Sequence, residues 1–185
     1  GAWAKVAITF ASVNGKYTAF ILDKDCKGWV VGEEEKKLGI KGSSTVTFFY
    51  EDCNVPVENV LGKVGEGAHI AFNVLYVGRY KLGVTTSAGA KYVIDASLDY
   101  ASERQQFNRS IKEFGMLRKK FSNMVTRAWE ADSINYMITG SIDHTLSPID
   151  KSSDNYFDFV QKVIEDHGIE ASISKVVGSE ALAHN

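Results

Sequence analysis

The apolar residues of this chain change period once, near Pro56, and do not change back. Ahead of that point Ala4, Val6, Ile8 and Phe10 alternate with Lys5 and Thr9, the two-residue repeat of a half-buried strand. Beyond it, spacings of three and four run to the last residue, the repeat of helices that bury one stripe. Antiparallel β followed by long helices predicts an α+β chain, a β domain joined to an up-and-down helical bundle. The switch lies within Asn54-Val55-Pro56 and the series Gly62, Gly65, Gly67, residue types that interrupt regular structure. Residues 1–62 are therefore assigned to the β domain and residues 63–185 to the helical one.

Local signals fill in this outline. Asn14-Gly15 tolerates positive φ at both positions and predicts a tight hairpin. The returning run Tyr17 to Leu22 is apolar on both faces, which suits an interior strand, and Thr45 to Tyr50 is β-branched and aromatic. Glu33-Glu34-Glu35-Lys36-Lys37 between them predicts a solvated loop. One long helix is expected over residues 68–102, with Gly83 and Gly89 inside it for close packing or ligand approach. In the next helix Phe114, Leu117, Phe121, Met124, Ala128 and Ala131 form a bundle seam. After a polar connection a third helix is expected from near Asn155 to Asn185.

Hydrophobic residues at 44% and charged residues at 24% describe an ordinary globular chain with a core to bury. A net charge of −2 supplies no overall field for nucleic acid or an anionic membrane. No apolar run approaches the roughly 20 residues that span a bilayer. Nothing near Gly1 has the pattern of a signal or transit peptide. Cys26 and Cys53 are too few for a disulfide scaffold, so reduced, intracellular thiols are the expectation. Neither they nor His69, His144, His167 and His184 fall at zinc-ligand spacing, and no metal site is expected. Strand alternation starts straight after Gly1 and helical spacing still runs at Asn185, so the chain is expected to be cut at both ends.

Chemistry concentrates where the first helix stops, in Tyr100-Ala101-Ser102-Glu103-Arg104-Gln105-Gln106-Phe107. A guanidinium, two amides and an aromatic ring can grip a diphosphate and stack a planar ring beside it. The plainer reading is an arginine that complements the helix macrodipole.

Five ordered segments bear on this choice. They are Lys37-Leu38-Gly39-Ile40-Lys41-Gly42-Ser43, Val55-Pro56-Val57-Glu58-Asn59-Val60-Leu61-Gly62, Gly65-Glu66-Gly67, Gly78-Arg79 and Arg104-Gln105-Gln106-Phe107. The series closely resembles the acyl-CoA dehydrogenases over most of the chain. Gly78-Arg79 and Ile169-Glu170-Ala171-Ser172-Ile173-Ser174-Lys175 look most like the very-long-chain branch and its respiratory-assembly relative. The resemblance implies the latter part of a β-barrel-like middle domain followed by the start of a C-terminal helical bundle. It implies FAD as cofactor and a fatty acyl-CoA oxidised to the trans-2-enoyl thioester, as in fatty acid β-oxidation. It further implies an electron-transfer flavoprotein as acceptor, a homo-oligomer, and a mitochondrial matrix or bacterial cytoplasm as location. Assembly proteins of the same fold with little activity, and acyl-CoA oxidases, are the alternatives.

Residue by residue, Arg104 matches an arginine that reaches the FAD diphosphate of a neighbouring subunit, and Gln106 and Phe107 match adjacent contacts. Ile111 and Phe114 match further flavin-facing positions, whereas Gly115 stands where the family often has a glutamine. Arg79 matches an arginine that supports the active-site glutamate. Phe72, Leu75, Gly78 and Leu82 match a helix lining the acyl groove, with plain core packing as the alternative for Phe72 and Leu82. Some branches carry the base glutamate just before that arginine; here Gly78 stands there, so the base is expected beyond Asn185 and the flavin-binding Thr-Glu-Pro and Gly-Ser-Asp segment before Gly1. Such a base needs a carboxylate in a desolvated pocket and donors for the thioester enolate.

Overall fold

The structure is a computed structural model that describes residues 1–185. The chain divides into two compact units, Gly1–Ala71 and Phe72–Asn185. In the first, β1 (Val6–Val13) and β2 (Lys16–Asp23) form an antiparallel hairpin. Its turn residues Asn14 and Gly15 have φ of 49° and 81°, the double positive φ that the Asn-Gly pair predicts. Strand β2 lies between β1 and β5 (Val60–Leu61), and its Thr18, Ala19 and Leu22 are buried. The run apolar on both faces is thus an interior strand. Thr18 is buried with its hydroxyl satisfied: it donates to the Lys16 carbonyl at 3.0 Å and accepts from Gly65 N–H at 3.1 Å. A Cβ on Gly67 would meet the Thr18 backbone at 2.8–2.9 Å, so glycine is needed where the chain enters its first helix.

A second sheet pairs β3 (Trp29–Glu34) with β4 (Val46–Tyr50), with an irregularity between Val31 and Glu34. The strands of this first unit form two small sheets and no closed barrel. Two sequence expectations need correction here. The charge run is not wholly a loop, because Glu33 and Glu34 extend β3. The Glu34 carboxylate accepts from the Ser44 hydroxyl and from Thr45 N–H at 3.0 Å. Strand β3 escaped notice because only Trp29, Val30 and Val31 carry a strand signal before the acidic residues begin. Cys26 and Cys53 are not free thiols but are joined in a disulfide, with Cα atoms 6.2 Å apart. Their separation of 27 in sequence is closed by the β3–β4 pairing, which no cysteine spacing reveals.

Four helices follow: α1 (Gly67–Glu103), α2 (Gly115–Leu146), α3 (Tyr156–Asp166) and α4 (Gly168–His184). The α2 seam buries Met124, Ala128 and Ala131 as its spacing predicts, and continues through Asn135 and Ile138. Ala90 and Ile94 of α1 meet Met124 and Ala128 in a core closed by Val93, Phe121 and Leu182. Helices α1 and α4 cross through small residues. A Cβ on Gly83 would come within 2.8 Å of the Ser174 carbonyl, and one on Gly178 within 2.7 Å of the Gly83 carbonyl. The buried Ser174 hydroxyl donates to Asn135 Oδ1 at 2.6 Å, tying α4 to α2.

The single third helix expected over residues 155–185 is two helices broken at His167. Its Nδ1 lies 2.7 Å from the Val163 carbonyl and its Nε2 2.8 Å from the Ser141 hydroxyl, so the ring holds the break against α2. Gly168 follows, buried where a Cβ would strike the Tyr76 ring at 2.7 Å. Helical periodicity passes through a one-residue break almost unchanged, which hides it from a spacing argument.

Candidate functional site

Helix α1 ends at Glu103, and the chain turns at once into a miniature hairpin. Its strands are β6 (Gln105–Gln106) and β7 (Arg109–Ser110), with Gln105 opposite Ser110 and Gln106 opposite Arg109. Phe107 and Asn108 form the two-residue turn with φ of 53° and 59°, type I′ geometry. The hairpin is fastened to the helix by carbonyls that the helix end leaves open. Ile111 N–H donates to the Arg104 carbonyl at 2.9 Å. The Ser110 hydroxyl is 2.7 Å from the Ala101 carbonyl and 3.1 Å from that of Ser102. Lys112 Nζ reaches the Ser102 hydroxyl at 3.3 Å.

The outcome is a rigid stalk with an aromatic tip. Phe107 is 87% exposed, braced by an edge-on contact with Phe114 at 6.3 Å between centroids. The Arg109 guanidinium lies 4.1 Å over the other ring of that pair, Phe114, a cation–π contact. Arg104, Gln105 and Gln106 are exposed at the stalk's root. Arg104, Gln106, Phe107 and Phe114 are thus brought together. Ile111 instead lines a groove between α1 and α2 with Tyr100, Lys120 and Phe121. Sequence reasoning missed Arg109 and Ser110, the residues that brace the tip and clamp its base.

A second place of interest surrounds Arg79. Its Nη1 donates to the Ser172 hydroxyl at 3.3 Å, that hydroxyl donates to the Gly168 carbonyl at 2.8 Å, and Tyr76 presents its ring 5.5 Å from the guanidinium. Arg79 lines a groove of about 550 Å³ between α1 and α4, walled by Tyr76, Ile169, Ile173 and Val176. Ile169, Ile173 and Val176 recur at helical spacing and could have been found by it. Gly78 faces a different groove, shared with Val74, Val77, Phe157, Val160 and Ile164. Phe72, Leu75 and Leu82 are exposed on α1, with Phe72 stacked on Tyr76 at 6.4 Å.

These elements have counterparts. The sequence pattern of the acyl-CoA dehydrogenase C-terminal domain matches residues 65–184, which hold both the stalk and the Arg79 groove. The chain belongs to the acyl-CoA dehydrogenase family.

A probable acyl-CoA dehydrogenase of Bacillus subtilis is 41% identical over 182 residues, covering 98% of this chain and 31% of that protein. The human mitochondrial very long-chain specific acyl-CoA dehydrogenase is 33% identical over 182 residues, covering 97% and 25%. Among solved structures, an acyl-CoA dehydrogenase of Bacillus anthracis complexed with FAD superposes with a TM-score of 0.91 at 41% identity. That match covers 99% of this chain and 32% of the other. The chain therefore spans between a quarter and a third of the relatives' length. Its strands-then-helices order is the family fold.

Proposed function

We propose that the stalk and the Arg79 groove serve an FAD-dependent acyl-CoA dehydrogenase that converts fatty acyl-CoA thioesters to trans-2-enoyl-CoA. The observation that carries this reading is the Arg104–Phe107 stalk. It offers an exposed guanidinium, exposed amides and a presented ring within one rigid turn, a donor set that fits a dinucleotide diphosphate and a planar ring. Bound FAD would supply the hydride acceptor. Arg104 neutralises diphosphate charge, Gln106 donates beside it and Phe107 stacks on a planar face. Ser110 ties the hairpin to the helix end, and Arg109 pairs with Gln106 while its guanidinium covers Phe114. Arg79, steadied by Ser172 and Tyr76, would support a carboxylate that acts as base. The exposed apolar residues Phe72, Leu75 and Leu82 follow one another along α1 and suit an acyl chain.

The reading extends to a homo-oligomer, with an electron-transfer flavoprotein as acceptor, in a bacterial cytoplasm or a mitochondrial matrix. The test uses the complete protein. Bound FAD is expected to bleach anaerobically on mixing with a long-chain acyl-CoA, and absence of bleaching at every chain length removes the dehydrogenase reading. Arg104→Ala is expected to lose flavin on gel filtration where wild type keeps it. The loss of a charged hydrogen bond corresponds to about 1.5–3 kcal/mol of binding. Equal flavin occupancy in the two proteins would remove Arg104 from the cofactor site.

A further inference from the structure

We propose that Cys26 and Cys53 are a reversible thiol–disulfide exchange site that latches the open end of the β3–β4 ribbon. The partners are a low-molecular-weight disulfide as oxidant and a dithiol as reductant. Two cysteine thiols and one small disulfide give the protein disulfide and two small thiols. A dithiol reverses the step and closes on itself, so atoms and electrons balance with no other reagent.

The backbone sets the meeting of the two sulfurs. The β3–β4 ladder ends at the pair Trp29 and Tyr50, and Glu51 N–H adds one more bond to the Gly28 carbonyl at 2.9 Å. Each cysteine stands three residues beyond that last pair, and their Cα atoms are 6.2 Å apart, inside the span a disulfide requires. Strand pairing therefore keeps the cysteines facing each other when the bond is open. The reduced state is provided for as well: the Cys26 sulfur lies 3.8 Å from the carbonyls of Lys27 and Asn54, acceptors for a thiol proton. Both cysteines are half-buried, neither sealed in the core nor free of the fold, so small reagents reach them.

The bond also has something to hold. Gly28 has φ of 96°, and Asp52, next to Cys53, has φ of 50°, a left-handed conformation uncommon for a residue with a Cβ. Past Cys53 the chain reaches β5 through Pro56, Val57 and Glu58, all exposed. Beyond the disulfide this segment is tied by Asn59 Nδ2 to the Ile21 carbonyl at 2.9 Å and by Asn59 N–H to the Pro56 carbonyl at 3.0 Å. Opening the latch removes the covalent tie at Cys53 and leaves residues 52–58 between the Glu51 bond to Gly28 at the ladder's end and the Asn59 bond to Ile21. That segment loosens while the β1–β2 hairpin stays.

The test treats folded complete protein with oxidised glutathione or with dithiothreitol. Alkylation and intact mass count free thiols, and limited proteolysis then maps cleavage. The oxidised protein is expected to show neither cysteine alkylated. The reduced protein is expected to show both alkylated, with cleavage within residues 52–58 faster on the order of tenfold, because protease reads the population of the opened segment. Oxidised glutathione should restore resistance, and Cys53→Ser should cleave at the fast rate whatever the redox reagent. Two results overturn the proposal: both thiols staying free in folded protein under oxidised glutathione, or a broken bond with unchanged cleavage at 52–58. Neither outcome depends on flavin or on acyl-CoA.

Discussion

Phe107 sits at φ of 53°, where an L-residue costs about 1–2 kcal/mol, yet a glycine or asparagine is what such a turn asks for. Its ring is exposed and touches Phe114 only edge-on. Replacing it separates stability from function. Phe107→Gly relieves the backbone strain but gives up a ring contact of about 0.5–1.5 kcal/mol, so the two nearly cancel. The urea midpoint is expected to stay close to wild type while flavin retention falls; a large midpoint change with intact retention would make Phe107 structural. Ser110→Ala acts in the opposite way. It removes the donor to the Ala101 and Ser102 carbonyls and is expected to lower stability by about 0.5–1.5 kcal/mol, read as a urea midpoint, with Ser110→Thr recovering it. The helix stop at Arg104 was legible in the sequence, because amides and an aromatic ring follow it. The hairpin was not, since only Asn108 of the turn pair has the residue type the geometry favours.

Among the elements, the α1–α4 crossing depends on what is missing at Gly83 and Gly178. Alanine at residue 83 would gain roughly 1 kcal/mol of helix propensity. The new methyl would press on Ser174 backbone atoms at 2.8 Å, and backbone cannot step aside as a side chain can. Overpacking of this kind costs about 1–3 kcal/mol, so Gly83→Ala is expected to lower the thermal midpoint. The α1–α2 contact carries a polar cluster instead. Asp132 accepts from the buried Ser87 hydroxyl and from Lys91 Nζ at 2.7 Å. Burial raises the Asp132 pKa, but hydrogen bonds from Lys91 and Ser87, with the Lys91 charge, more than reverse this and hold it below the usual carboxylate range. A depressed folded-state pKa stabilises above the unfolded value, near about 4, and that contribution disappears as pH falls through the folded value. The Lys91 pKa is raised, chiefly by its bond to Asp132, so its contribution fades only as pH rises past the lysine range. Asp132→Ala should cost about 1–3 kcal/mol at neutral pH by leaving Ser87 unpaired. The gap from wild type in urea midpoint should narrow below about pH 4. The α2 stripe was readable because each member repeats every three or four residues. The break at His167 was not, because it rests on a ring bonded to another helix.

For the whole molecule, the period switch near Pro56 anticipated strands followed by helices, while the disulfide arises only from pairing between strands far apart in sequence. Under the proposed function, the exposed stalk gains its ligand from a neighbouring subunit, so flavin loss and dissociation should share one midpoint in a dilution series followed by sedimentation. A flavin that stays bound to isolated subunits would contradict this. Helix α1 adds a constraint of its own. Arg79 and Arg104 stand 25 positions apart on one continuous helix and its first following residue, about 37 Å along the axis at 1.5 Å per residue. That distance is too great for both to serve one reaction centre. Under the proposed function the helix would act as a ruler, lending one end to its own centre and the other to a neighbour's. Damage at Arg104 would be dominant across the interface: in mixed oligomers, a wild-type subunit beside an Arg104→Ala subunit would lose its flavin although its own sequence is intact.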